Sequence, residues 1–362
     1  MRKLITILSI IAIIFLAIIA FLNYYPTFGG HITKADQLDY SKRNSNFDGK
    51  KFVYPNEWNL EGLAENKLIS TKDTVPKDKL PVSIPDFNAT DPNKIKFTWF
   101  GHSSILLQIG KVNILIDPIF SRRSSPLQWI GPHRFTKPSI EPSDLPHIDV
   151  VLLTHDHHDH LDPFTLKKID SKVDKYIVPL GVEKHLACWG INSDKIHNNA
   201  WWESIEYSDV KFTCTPSRHF SGRRMIDNNQ TQWCSWVMQA HGYNIFDSGD
   251  GSIGKHFEEI HNRFGNFDLA FMECGQYNHA WHYVHMYPEE SVSASNTLGA
   301  KAVVPIHWCA FSMSTHAWDD PPERFVREAD ASNLNALTPH LCETVKLEEP
   351  DKYKNRWWRN FK

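Results

Sequence analysis

Residues 150–162 read Val-Val-Leu-Leu-Thr-His-Asp-His-His-Asp-His-Leu-Asp, an apolar run that opens directly into the pattern His155-x-His157-x-Asp159-His160. Side chains able to bind a metal are thus crowded together where a buried strand gives way to a loop. Burying several imidazoles beside carboxylates is costly unless a cation or another set of partners satisfies them, so the spacing predicts a metal centre. His155 and His157 alternate as strand residues do and can face one side. Asp159 and His160, beyond the turn of the chain, can serve a second ion. A single zinc needs only three protein ligands and an open position, which favours two metals here. Histidine is abundant throughout, at 20 of 362 residues.

Three more segments place a metal-ligating residue directly after an apolar strand. Lys211–Ser217 leads to His219, Tyr243–Phe246 leads to Asp250 with Gly249 and Gly251 on either side, and Ala302–Ile306 leads to His307. Each alone reads as well as a hydrogen-bonded structural residue; their shared context makes them candidate distant ligands. The six cysteines contain no C-x-x-C pair, which argues against a zinc knuckle or a thioredoxin-like site. Cys214, Cys234 and Cys274 lie in apolar runs and read as buried free thiols.

Leu4–Leu22 is 19 residues without a charge, about the length of a helix that crosses a bilayer core. Its poor cleavage site favours an uncleaved anchor over a signal peptide. Arg2 and Lys3 precede it, which predicts a cytoplasmic N-terminus and an extracytoplasmic remainder. Residues 1–25 are therefore expected to form a membrane anchor and 26–93, rich in Pro and polar side chains, an extended arm with a short helix near Leu60–Lys67. From residue 94 to 348, β-branched and aromatic runs interleave with amphipathic stretches at Phe164–Ile169, Ile253–Arg263, Glu289–Leu298 and Glu323–Ala331. This is the texture of one many-stranded α/β domain, with 349–362 as a C-terminal tail. A net charge of −3 argues against bulk nucleic-acid binding.

Over about residues 94–330 the chain resembles the metallo-β-lactamase fold hydrolases, and within them the branch of the N-acylphosphatidylethanolamine-hydrolysing phospholipase D. The resemblance rests on Thr98–Ser104 (TWFGHSS), Asp117–Ser121, Ser125-Pro126 with Gly131-Pro132, the 155–160 motif, Pro216–His219, Gly249-Asp250, Pro288–Glu290 and Ile306–Trp308. It implies an αββα sandwich and two zinc ions. His155, His157 and His219 would hold one, Asp159, His160 and His307 the other, and Asp250 would bridge them, while Asp117 would steady the metal loop from behind. Asp247 competes for the bridging place but lacks glycine on both sides. The chain departs from the branch at Gly251-Ser252, where a hydroxyl residue often follows the Asp directly.

The expected chemistry is attack on a phosphodiester of a phospholipid by a hydroxide shared between two zincs, with Asp159 or Asp250 orienting it or taking its proton. A membrane anchor would keep such an enzyme beside an amphiphilic substrate. The alternative is hydrolysis of a lactone or other ester, as in the related sugar-phosphate lactonases. A metal-stabilised binding module is disfavoured, because structural zinc sites are usually closed and Cys-rich. His279, His282 and His285 are candidates for lining the site, and Trp308 reads equally as an apolar wall or as core.

Overall fold

The computed structural model describes residues 2–55, 73–88, 91, 93–224 and 226–361. The helix expected near Leu60–Lys67 lies outside them. Two mixed sheets make up the body. In the first, β1 (Ile95–Trp99), β2 (Ile105–Ile109) and β3 (Val112–Ile116) form an antiparallel meander, and β4 (Ile148–Leu152), β5 (Val173–Pro179) and β6 (Ile196–Asn199) continue it in parallel. β13 (Thr344–Lys346) pairs antiparallel with β1 at the far edge. The second sheet runs β7 (Ser204–Tyr207), β8 (Val210–Thr215), β9 (Ser235–Ala240), β10 (Tyr243–Asp247), β11 (Leu269–Glu273) and β12 (Val303–Ile306). Its first four strands are antiparallel and its last two parallel.

The central strands are buried along their whole length on both faces, which explains why they read as continuous apolar runs rather than alternating ones. Helices α3 (Pro163–Ile169) and α4 (Val182–Cys188) accompany the first sheet; α5 (His256–Phe264), α6 (Pro288–Thr297) and α7 (Asp320–Ala331) accompany the second. α7 buries Phe325, Val326 and Ala329, the spacing of one helical face. α3 starts where the metal motif ends: Asp162 accepts from Phe164 N at 3.0 Å and Pro163 fills the first helical position. The last Asp of the motif is thus a helix cap.

Ahead of the body, α1 (Arg2–Tyr24) is long and apolar enough to cross a membrane and none of its apolar window is buried. The arm that follows contains α2 (Lys34–Arg43), opened by a capping box in which Thr33 and Asp36 satisfy each other's backbone N–H groups. Tyr40 is buried and donates to Glu183 Oε1 at 2.7 Å; Phe47 and Phe52 join the main core. After residue 348, Trp357 and Trp358 are also buried, their ring centroids each 5.7 Å from that of Trp308. Segments on both sides of 94–348 therefore pack into the same core. Sequence periodicity missed them because each contributes a few scattered large aromatics amid polar residues.

Candidate metal centre

Every residue of the centre lies at one end of the two sheets. β3 ends at Asp117, β4 leads into the 155–160 loop, and the β1–β2 turn carries His102; from the second sheet, β8 leads to His219, β10 to Asp250 and β12 to His307. His155 Nε2 lies 2.9 Å and His219 Nε2 3.1 Å from His157 Nδ1. Donor atoms on a tetrahedral ion with 2.0–2.1 Å bonds stand about 3.3 Å apart, so these three imidazoles converge as a ligand set does. A second group gathers His102, Asp159, His160 and His307. Asp250 Oδ2 sits between the groups, 3.1 Å from both His160 Nε2 and His307 Nε2 and 3.8 Å from both His155 Nε2 and His219 Nε2. All seven side chains singled out in the sequence are brought together.

The rings are aimed by their other nitrogens. His160 Nδ1 is 2.6 Å from Asp117 Oδ2, His155 Nδ1 2.9 Å from Thr154 Oγ1, and His219 Nδ1 2.8 Å from the Val284 carbonyl. Asp117 also accepts from Thr154 N at 2.9 Å and Thr154 Oγ1 at 2.5 Å, so one carboxylate fixes both the loop backbone and a ring. Gly251 is required for close approach: a Cβ there would lie 2.3 Å from Ser217 Oγ. The glycines flanking Asp250 thus serve to pack loop on loop rather than to admit an ion, since a Cβ at Gly249 would meet Cys234 O at 2.7 Å.

Charge is divided within the centre. Burial, reinforced by the neighbouring imidazoles, holds His155 and His219 well below the ordinary histidine range, in the neutral form that ligates. Burial alone would raise Asp250 and Asp159, but His160 outweighs it, with His307 on Asp250 and His102 on Asp159, and both stay well below the ordinary carboxylate range. Burial also raises Asp247 well above that range, aided by Asp117. Asp247 belongs to none of the clusters among the described residues, so the geometry favours Asp250 for the shared position. Among the described residues, Asp250 Oδ1 is buried without a hydrogen-bond partner. Such orphaned lone pairs, with a His- and carboxylate-rich donor set, fit a divalent cation.

Of the three histidines in 279–285, only His285 reaches the centre: its ring stacks on His307 at 5.2 Å and faces His219 at 5.1 Å. His282 Nε2 is taken by Glu290 at 2.7 Å and His279 by Tyr287. Trp308 is core, packed on Trp99 with centroids 5.1 Å apart. Two participants escaped sequence reasoning. His102 places Nε2 2.8 Å from Asp159 Oδ2, and Glu273, fully buried, has Oε1 3.3 Å from His285 Nδ1 and Oε2 3.7 Å from His307 Nδ1. Glu273 does carry the signal used for the others, a polar residue closing an apolar strand.

The chain belongs to the β-lactamase superfamily: residues 112–308 match the beta-lactamase superfamily domain. With its two sheets and helices it is a hydrolase of the metallo-β-lactamase fold. It is 35% identical over 288 residues to an uncharacterized protein of Mycobacterium tuberculosis, covering 78% of this chain and 77% of that one. It is also 28% identical over 326 residues to the N-acyl-phosphatidylethanolamine-hydrolyzing phospholipase D 1 of Caenorhabditis elegans, covering 84% and 92% respectively. Among solved structures, a metallo hydrolase from the archaeon Ignicoccus hospitalis shares the fold with a TM-score of 0.54 at 19% identity, over 70% of this chain and 98% of that one.

Proposed function

We propose that this protein is a membrane-anchored, dinuclear zinc phosphodiesterase that cleaves a phospholipid in the manner of a phospholipase D, on a substrate like N-acylphosphatidylethanolamine. The observation that carries this reading is the position of Asp250 Oδ2, within 3.8 Å of four imidazole nitrogens from both clusters. His155, His157 and His219 would hold one ion and Asp159, His160 and His307 the other, with Asp250 within reach of both groups. When bound, such a pair supplies Lewis acidity toward a phosphoryl oxygen and an acidified water.

The side chains do the rest. Asp159 or Asp250, both kept ionised by the surrounding imidazoles, orients the attacking water or takes its proton. His285, facing Asp250 and His307, is placed to return a proton to the leaving alkoxide. Phe220, with its ring 4.4 Å from that of His157, forms an apolar lip that suits an acyl-bearing substrate. α1 spans the membrane, and the two basic residues at its start, Arg2 and Lys3, orient the catalytic body outside the cytoplasm. The kinship with a named phospholipase D supports the lipid substrate.

The test is to load the full-length chain with zinc, count the metal by plasma mass spectrometry, and incubate it with a mixed phospholipid extract. Two zincs per chain and release of phosphatidate are expected. Diacylglycerol as the product overturns the bond assigned, and turnover of lactones with no phospholipid cleavage overturns the substrate class.

A further inference from the structure

We propose that the exit of α1 is a bilayer-docking platform, in which the loop tips at Trp129–Ile130 and at Ile226 enter the membrane interface and hold the mouth of the metal centre against the lipid. This rests on the reading of α1 as a membrane span.

α1 does not end in a free tether. Arg224 Nε donates to the Leu22 carbonyl at 3.0 Å, and its guanidinium reaches Gly29 O at 2.6 Å and Gly30 O at 3.3 Å. Its charge is met by Asp227 Oδ2 at 3.0 Å. The preceding Arg223 donates to Thr27 O at 2.8 Å and, on its other side, to Asp156 O at 2.6 Å and Leu161 O at 2.9 Å. Both arginines are buried. One pair of side chains therefore grips the last turn of α1, the residues that follow it, and both ends of the metal loop. Trp189 Nε1 donates to Pro26 O at 2.6 Å, and the Phe28 ring packs edge-on against His158, 6.1 Å between centroids. A buried charge hydrogen-bonded to this many carbonyls does not rearrange cheaply. The membrane surface at which α1 emerges is thus fixed beside the 155–160 loop.

Two apolar tips flank that exit. Asp227 Oδ1 accepts from Arg223 N at 3.1 Å and Arg224 N at 2.7 Å, and the adjacent Ile226 is 63% exposed. Thr27 Oγ1 donates to Pro126 O at 2.9 Å, which fastens a second loop to the exit, and its tip bears Trp129 at 74% and Ile130 at 54% exposure. Large apolar side chains held out on hydrogen-bonded loops are unfavourable in water. Tryptophan, however, is the residue most at home where bilayer meets water, and Tyr24 at the end of α1 shares that setting. Phe220, partly exposed beside His157, continues the apolar surface toward the metal centre. A lipid is the occupant this arrangement fits, because both loops are hydrogen-bonded to the exit of a helix whose own apolar side chains are exposed from Leu4 to Phe21.

The full-length chain, reconstituted into phosphatidylethanolamine/phosphatidylglycerol vesicles, tests this through nitroxide labels introduced singly as Ile130→Cys and Ile226→Cys. Cys188, the exposed thiol, is first replaced by Ser. Ile13→Cys in α1 and Asn333→Cys on the exposed loop after α7 serve as lipid and water references. Collision with oxygen over a water-soluble nickel chelate is expected to be high at 13, 130 and 226 and low at 333. Water-like labels at 130 and 226 with a lipid-like label at 13 overturn the platform and leave the anchor standing; a water-like label at 13 overturns both. In a functional arm, the Ile130→Asp/Ile226→Asp chain is expected to turn over vesicle-embedded phospholipid roughly tenfold or more slowly while hydrolysing soluble bis(p-nitrophenyl) phosphate unchanged. Equal loss on both substrates, or on neither, counts against the platform.

Discussion

From the first sheet, His155, His157, Asp159 and His160 reach the metal centre on one continuous loop; from the second, His219, Asp250 and His307 reach it singly, from separate strand ends, and His285 from the connection ahead of α6. The loop is steadied by buried carboxylates. Asp117 grips Thr154 and His160, and Asp156 accepts from Gly222 N at 2.7 Å and Thr231 Oγ1 at 2.8 Å. The second half relies more on backbone, with Glu273 behind His285 and His307: His219 points at the Val284 carbonyl, His307 at that of Gly275, and a Cβ on Gly275 would crowd His307 O. His307 and His102 even adopt left-handed backbone conformations, with φ of 69° and 54°, uncommon for non-glycine residues and frequent at functional sites. The difference teaches that the loop half is vulnerable to loss of charge and the strand-end half to added volume.

The largest effect is expected where the halves meet. Asp250→Asn should lower the proposed hydrolytic activity by roughly a hundredfold or more and reduce bound metal while circular dichroism stays native; near-normal activity would break the picture of one shared carboxylate. Next, Asp117→Asn should weaken metal affinity by about 10–100-fold in competition with a chelator, the usual penalty for losing a carboxylate behind a ligating histidine. Glu273→Gln, behind His307 and His285 alone, should sit at the low end, about tenfold. Gly275→Ala should act chiefly on folding, costing about 1–3 kcal/mol in urea titration. If it cost more metal affinity than Asp117→Asn, the division between charge and volume fails.

A change remote from both halves calibrates the series. Glu203 binds Arg43 of α2 at 2.5 Å, and although burial would raise it, Arg43 and the Ala200 N–H hold it below the ordinary range. A depressed folded-state pKa stabilises above the unfolded value of about 4.3 and loses that stabilisation as pH falls through the folded value. Glu203→Gln should therefore cost under about 1 kcal/mol at pH 7, given the partial exposure of the pair, and the difference from the parent chain should vanish in acid.

Much of this was legible along the chain. The contiguous loop announced itself, and strands such as β2, β3 and β11 read as apolar runs because both their faces are buried. α4, β6, β7 and β13 did not: they are short, or sit at sheet edges where polar residues such as His197 and Glu206 are tolerated. α2 left a trace in the Thr33–Asp36 capping pair, but only Tyr40 of its residues is buried, so no apolar stripe marked it. His102 stood in a segment recognised for its family resemblance, yet its contact with Asp159 joins positions 57 apart in the chain.

By itself, then, the sequence determined the seven candidate ligands and the buried strands, since ligand spacing and apolar runs are local properties. Only the packing of two sheets decided the remainder: His102 and Glu273 join the centre, His285 alone of its neighbours turns inward, Trp308 faces the core, and the end of α1 is clamped to the metal loop. Each of these depends on where separate strand ends meet in space, and that is set by how the sheets pack and no longer by distance along the chain.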